Sequence, residues 1–192
     1  CIAKYDDVYR VLYDAQGGTG VPAMQEHKVN SFNEEPNYTF KLTDLNDSNI
    51  PTREGYTFGG WTTDSTETNQ AGAYSPGSDL YLTRDNPETT LYAIWIPNSE
   101  MGFGGITKMQ DMTSAVCGNV NTGTTGRLQD KRDYKVYYVT KTADERCWMS
   151  KNLSLDLRSD KTYTPADTNI SANWTPARNT IPLGNLNDTT WQ

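Results

Sequence analysis

The sequence predicts a mostly β chain of the α+β class, with one β module followed by a loop-rich part that holds a β-hairpin and one short helix. Three observations predict it. Runs such as VYRVLYD (residues 8–14), YTFGGWTT (56–63) and TTLYAIWI (89–96) are rich in β-branched and aromatic residues and alternate along the chain. The apolar material is concentrated in rings, with 12 Tyr and 5 Trp against a hydrophobic fraction of 35% and a mean hydropathy of −0.75, which suits thin β domains. Finally, PNSEMGFGG (97–105) packs Pro, Asn, Ser and three glycines into nine residues and separates two stretches of different character.

The elements follow in order. Residues 8–14 form the first strand, ended by the turn signal Gln16-Gly17-Gly18. Residues 21–30 alternate poorly but are a candidate second strand, and NYTFKL (37–42) is a short third. In 56–63 the large rings of Tyr56, Phe58 and Trp61 surround Gly59-Gly60, a spacing that predicts a strand bent at the glycines with rings filling a small core. Ala73–Leu82 reads as a loop, with Ser75-Pro-Gly-Ser78 as turn chemistry, leading into a short strand, and 89–96 closes the module. Beyond a linker at 98–105, TKMQDMTSAV (107–116) has Met109, Met112 and Val116 on one helical face with Gly118 placed to stop it. Asn119–Gly126 reads as loop. YKVYYVT (134–140), the turn TADER and CWMSKNLSLDL (147–157) form a hairpin, and the polar remainder from Arg158 reads as long loop. The expected core is Tyr13, Tyr56, Phe58, Trp61, Leu91, Tyr92 and Trp95 in the first part, and Cys117, Cys147, Trp148, Met149 and Leu153 in the second.

Length and charge narrow the classes. The chain of 192 residues suits two small domains. No run approaches the ~18 apolar residues of a membrane span, and no signal-peptide pattern opens the chain, as expected for a processed protein or a piece of a larger one. Residues 1–97 carry 6 basic and 14 acidic side chains, a net of −8, and residues 98–192 carry 11 and 10, a net of +1. The acidic half argues against nucleic acid, whose phosphates it would repel.

Cys117 and Cys147 bracket thirty residues that include a strong strand. They read as a disulfide, against the alternative of two buried free thiols. Closing such a loop would contribute ~3.6 kcal/mol in the chain-entropy model and would place the chain in an oxidising, extracytoplasmic setting. His27 is the sole histidine, so a Cys/His metal site lacks ligands. Cys1 is left over, either as the first residue of a fragment or as a lipidated N-terminus.

Two resemblances rest on these residues. VLYDAQGGTG (11–20), PTREGYTFGGWTTD (51–64) and TTLYAIW (89–95) resemble, in that order, the Listeria–Bacteroides repeat (internalin B-repeat). The resemblance spans residues 8–97 and implies a β-grasp-like repeat module of bacterial surface proteins at 1–97. LQDKRDYKVYYVTKTADERCWMSKNLSLDL (128–157), preceded by MQDMTSAVC, resembles the start of a Fibrobacter-type major paralogous domain, with Cys147, Trp148, Met149, Asn152 and Leu153 matching its C-W-M-x-x-N-L block. It implies that 106–192 is a partial domain of that type, truncated at its C-terminus.

Candidate chemistry is sparse. His27 lacks an orienting carboxylate or a recognisable nucleophile elbow and reads as a surface or strand residue. Asp44–Asn49 is oxygen-rich, but its sixth position is Asn49 rather than Gly and its twelfth is Gly55 rather than Glu, so it reads as a solvated loop rather than a calcium site. Asp130, Asp133 and Asp156 are a weaker cation candidate. Gly17–Gly20 and Gly102–Gly105 lack the Lys-Ser/Thr of a phosphate loop and read as turns and linker. Tyr74, Tyr81, Trp174 and Trp191 lie in loop-like contexts and are the candidate ligand-facing aromatics, with core anchoring as the plainer alternative. The sequons at Asn37, Asn152, Asn169 and Asn173 matter only in a glycosylating host.

These readings predict a non-enzymatic structural or adhesion fragment of a secreted or cell-surface bacterial protein, a stalk or spacer module plus part of a tip domain. No cofactor and no metal are expected. Expected partners are a host or neighbouring-cell surface protein or glycan and other repeats of the same parent chain. The alternative is a carbohydrate- or protein-ligand-binding module of a surface receptor; a hydrolase lacks a catalytic constellation to support it.

Overall fold

The computed structural model describes residues 6–30, 37–68, 70 and 73–150. The chain divides into two compact units between Pro97 and Asn98. Strands are the main regular structure of the chain, in keeping with the mostly β class.

In the first unit the strands are β1 (Asp6–Asp14), β2 (Gln25–Asn30), β3 (Asn37–Lys41), β4 (Tyr56–Thr62), β5 (Asp79–Thr83) and β6 (Glu88–Pro97). Four of them form a mixed sheet in the order β2-β1-β6-β4, and β3 and β5 pair as a separate antiparallel ribbon. The central pair is parallel, with Arg10 opposite Glu88 and Asp14 opposite Tyr92, and both flanking pairs are antiparallel. Period-2 alternation turns Tyr9, Val11 and Tyr13 of β1 to one face, together with Leu91, Ala93 and Trp95 of β6.

The glycine pair in β4 does what its spacing predicts. Phe58 pairs with Trp95 and Trp61 with Ala93, so Gly59 and Gly60 together oppose the single residue Ile94. Three residues apart, Phe58 and Trp61 would otherwise point to opposite faces. The bulge resets the phase and brings both rings inward, 4.9 Å apart, with Trp61 also 4.9 Å from Tyr13 and Phe58 5.8 Å from Trp95. Gly60 has φ +105°, and a Cβ there would sit 3.0 Å from the Tyr74 carbonyl, which itself accepts from Trp61 N at 2.9 Å.

Phe40, Leu80 and Leu82 are the buried residues of the ribbon. His27, opposite Tyr9 and therefore on the inner face, stacks on Tyr38 with ring centroids 3.6 Å apart. Tyr56 departs from the expected core: it is exposed, at the rim of β4, with the Arg53 guanidinium 4.1 Å above its ring.

The second unit has three-residue 3₁₀ turns at Asn98–Glu100 and Met109–Asp111, a one-turn helix α1 (Ser114–Gly118), and an antiparallel sheet of β7 (Thr125–Gln129), β8 (Val136–Lys141) and β9 (Cys147–Met149) in that order. Its core is Phe103, Met109, Met112, Cys117, Val120, Leu128, Tyr137, Val139 and Cys147. Cys117 and Cys147 are joined as a disulfide with Cα atoms 5.9 Å apart, which ties α1 to β9.

Four expectations are corrected here. Residues 98–105 are not a linker without regular structure: they hold a 3₁₀ turn, Gly102 bridges Arg127, and Phe103 enters the core beside Gly126 of β7. The helix over 107–116 is interrupted. Met112 and Thr113 are extended, and the Thr113 side chain accepts from Val116 N, so the local hydroxyl bond starts a new turn rather than continuing an old one. Asn119–Gly126 is not all loop, since Thr125 and Gly126 open β7. Trp148, expected in the core, is exposed. Cys147 must face inward to meet Cys117, and strand alternation then turns its neighbour outward. Leu153 lies outside the described residues.

Candidate functional site

The densest concentration of buried polar side chains is the β7–β8 turn, Asp130–Lys135. The turn is closed by Asp130 N donating to the Lys135 carbonyl and Tyr134 N to the Asp130 carbonyl, both at 2.8 Å, with Tyr134 at φ +60°. Asp130 is fully buried, and its carboxylate receives Arg132 Nη2 at 2.5 Å, Arg132 Nε at 2.9 and 3.1 Å, Gln110 Nε2 at 2.8 Å and Arg132 N at 2.9 Å. Asp133 accepts from Lys135 N and from the Tyr137 hydroxyl, each at 2.9 Å. Burial, reinforced by the Asp130 charge, pushes the Asp133 carboxyl up to about 6. The cluster brings the candidate pair Asp130 and Asp133 together. Its donors, however, come from the turn itself, from Gln110 and from Tyr137, so its chemistry is that of a locked turn; Asp156 lies outside the described residues. Among the described residues no group of three His, Cys, Asp or Glu side chains is placed to hold a metal ion.

The oxygen-rich loop closes on itself in the same way. Asn46 Oδ1 accepts from Ser48 N at 2.9 Å and from the Ser48 hydroxyl at 2.5 Å, and Asn49 Oδ1 accepts from Asn46 N at 2.6 Å.

Of the candidate aromatics, Tyr81 stands 59% exposed on the outer face of the ribbon, opposite Thr39. Tyr74 is half-buried, bridged through its backbone to Trp61. Trp174 and Trp191 lie outside the described residues. The structure adds one that sequence reasoning assigned to the core: Trp148, 48% exposed. Its signal was available in the alternation from Cys147. Trp148 pairs with Thr140, which pairs with Thr125 across the sheet, and the two threonine hydroxyls are 2.8 Å apart. On the next row Arg127 lies 4.7 Å above the Tyr138 ring and forms an ion pair with Glu100. The Trp148 indole N–H donates to Asp144 Oδ2 at 3.3 Å. The Thr142 hydroxyl above all, and then Arg146 N and this indole, hold the Asp144 carboxyl below the usual carboxylate range. The outer face therefore presents an oriented indole beside hydroxyl and charged groups.

A family model of the Listeria-Bacteroides repeat domain matches residues 9–94, a span that runs from within β1 to within β6 of the first unit. That repeat is found in bacterial surface proteins. Comparison with curated proteins and with solved structures finds no match. Since the family match ends at residue 94, the likeness of the second unit to a Fibrobacter-type domain rests on its residues alone and is not supported by the comparisons.

Proposed function

We propose that this chain is a non-enzymatic structural segment of a bacterial cell-surface or secreted protein, in which the first unit is a spacer repeat and the second is part of the domain it carries. The match of residues 9–94 to a surface-protein repeat supports this reading most directly. The disulfide is a second support, because such bonds persist in oxidising compartments. A third is the use made of large side chains. Phe58, Trp61 and Leu91 are spent on the core, and the buried carboxylates Asp130 and Asp133 on a turn. The test is protease shaving of intact cells that make the parent protein, with cysteines alkylated before lysis. Peptides of both units are expected in the shaved fraction, with positions 117 and 147 protected from alkylation. Their absence from that fraction, or free thiols at both positions, would overturn the surface assignment.

A second reading, a ligand-binding module, is favoured by the exposed and oriented Trp148 and by Tyr81. A glycan array probed with the full chain and with Trp148→Ala and Tyr81→Ala distinguishes it. Binding lost in either variant selects this reading, and no binding by the full chain rejects it for glycans.

A further inference from the structure

The first unit begins with β1 and ends with β6, and these two strands are parallel neighbours at the centre of its sheet. That topology has a mechanical meaning. In a parallel pair the N-terminal end of one strand and the C-terminal end of the other lie at opposite ends of the ladder. Tension applied through the chain draws β1 and β6 in opposite directions along their length. From this we propose that the first unit is a shear clamp: a force-bearing module whose resistance to extension along the chain resides in the β1–β6 ladder.

Three features load this ladder as a whole. The five registered pairs from Arg10/Glu88 to Asp14/Tyr92 lie across the line of pull, so the load divides among their hydrogen bonds instead of opening them one at a time. Arg10 N also donates to the Pro87 carbonyl at 2.9 Å, which extends the ladder at its lower end. Both strands are interior, β1 covered by β2 and β6 by β4, so neither is peeled from an open edge. Sliding would also drag Val11 and Leu91, fully buried on the inner face, past their neighbours before any compensating contact forms. The second unit follows on the same chain from Asn98, so tension in the chain passes through Pro97 at the end of β6. This property goes beyond a spacer role and holds whether or not the chain works at a cell surface.

Single-molecule force spectroscopy on the full chain tests it. With handles fused to the two termini, unfolding of the first unit releases about 300 Å of contour length, and the second unit stays about 100 Å short of its full extension until reductant opens the Cys117–Cys147 loop. That reductant-dependent step tells the units apart. The comparison uses a Cys1→Ser chain with handles on Arg10→Cys and Glu88→Cys, which are registered partners and load the same ladder crosswise from one end. The expected end-to-end unfolding force is at least about twofold higher than the crosswise force at equal loading rate, below the about fivefold limit of ideal load sharing over five pairs. Should that variant fail to fold, judged by its thermal melt, Asp14→Cys with Tyr92→Cys loads the ladder crosswise from its other end. Equal forces in the two directions overturn the clamp while leaving the shaving result for surface location untouched.

Discussion

Asp133 gives the sharpest quantitative prediction. Its carboxyl is buried beside Asp130, accepts from Lys135 N and the Tyr137 hydroxyl, and is pushed from an ordinary 3.8 up to about 6. A carboxyl whose folded value is raised favours folding in its protonated form. Its contribution is therefore complete below the unfolded value and is lost as pH rises through the folded one. A carboxyl raised to about 6 corresponds to about 3 kcal/mol lost by the second unit between about pH 4 and pH 7. Asp133→Asn keeps the shape of the protonated group and cannot ionise, so the variant lacks this component. The assay is urea unfolding at several pH values between those limits, followed by the NMR signals of Tyr137 and Val139, which belong to the unit's core. Subtracting the variant's stability from the parent's isolates Asp133 from the exposed carboxylates, Glu26, Asp64, Asp144 and Glu145, whose pKa values are lowered. The parent is expected to lose ground to the variant as pH rises. Parallel curves, or a parent that gains on the variant, would refute the assignment of burial as the dominant cause.

Two other predictions concern packing and covalent closure. Gly18→Ala places a Cβ 2.4 Å from the Trp95 ring and 2.8 Å from the Thr52 carbonyl, so the variant is expected to lose about 1–3 kcal/mol in the first unit, read as a lowered Tm with Trp95 indole NMR as the local probe. Reduction of Cys117–Cys147 is expected to destabilise the second unit by about 3–4 kcal/mol, seen as a lower urea midpoint for the Tyr137 and Val139 signals with and without reductant; an unchanged midpoint would show that the loop is constrained by packing alone.

Legibility in the sequence follows how local the determining physics is. β1, β4 and β6 announce themselves because alternation and ring content are properties of a few adjacent residues, and Gly59-Gly60 between rings marks a bulge for the same reason. β7 does not: Thr-Gly-Arg-Leu-Gln is polar, and it becomes a strand through pairing with β8 and through the approach of Gly102, whose carbonyl would lie 2.1 Å from a Cβ at position 126. The broken helix at 107–116 was hidden by a periodic apolar face, although Thr113 carried a capping signal that competes with continuation. Tyr56 and Trp148 show the limit of counting rings as core. Tyr56 shares a face with Phe58 but sits at the rim of β4, and the inward pull of Cys147 turns Trp148 out; where a strand ends and which cysteine it meets are long-range facts. Asp130 and Asp133 were visible as a pair of acids, but their service to a turn depended on Gln110, twenty residues away.

The disulfide also changes what cleavage means for this molecule. The β8–β9 turn is an accessible bend: Ala143, Asp144, Glu145 and Arg146 are all exposed, and Arg146 immediately precedes Cys147. A trypsin-like cut after Arg146 severs the backbone, yet the new amino terminus is the very residue bonded to Cys117. The two fragments stay joined, so damage at this bend releases nothing until a reductant arrives.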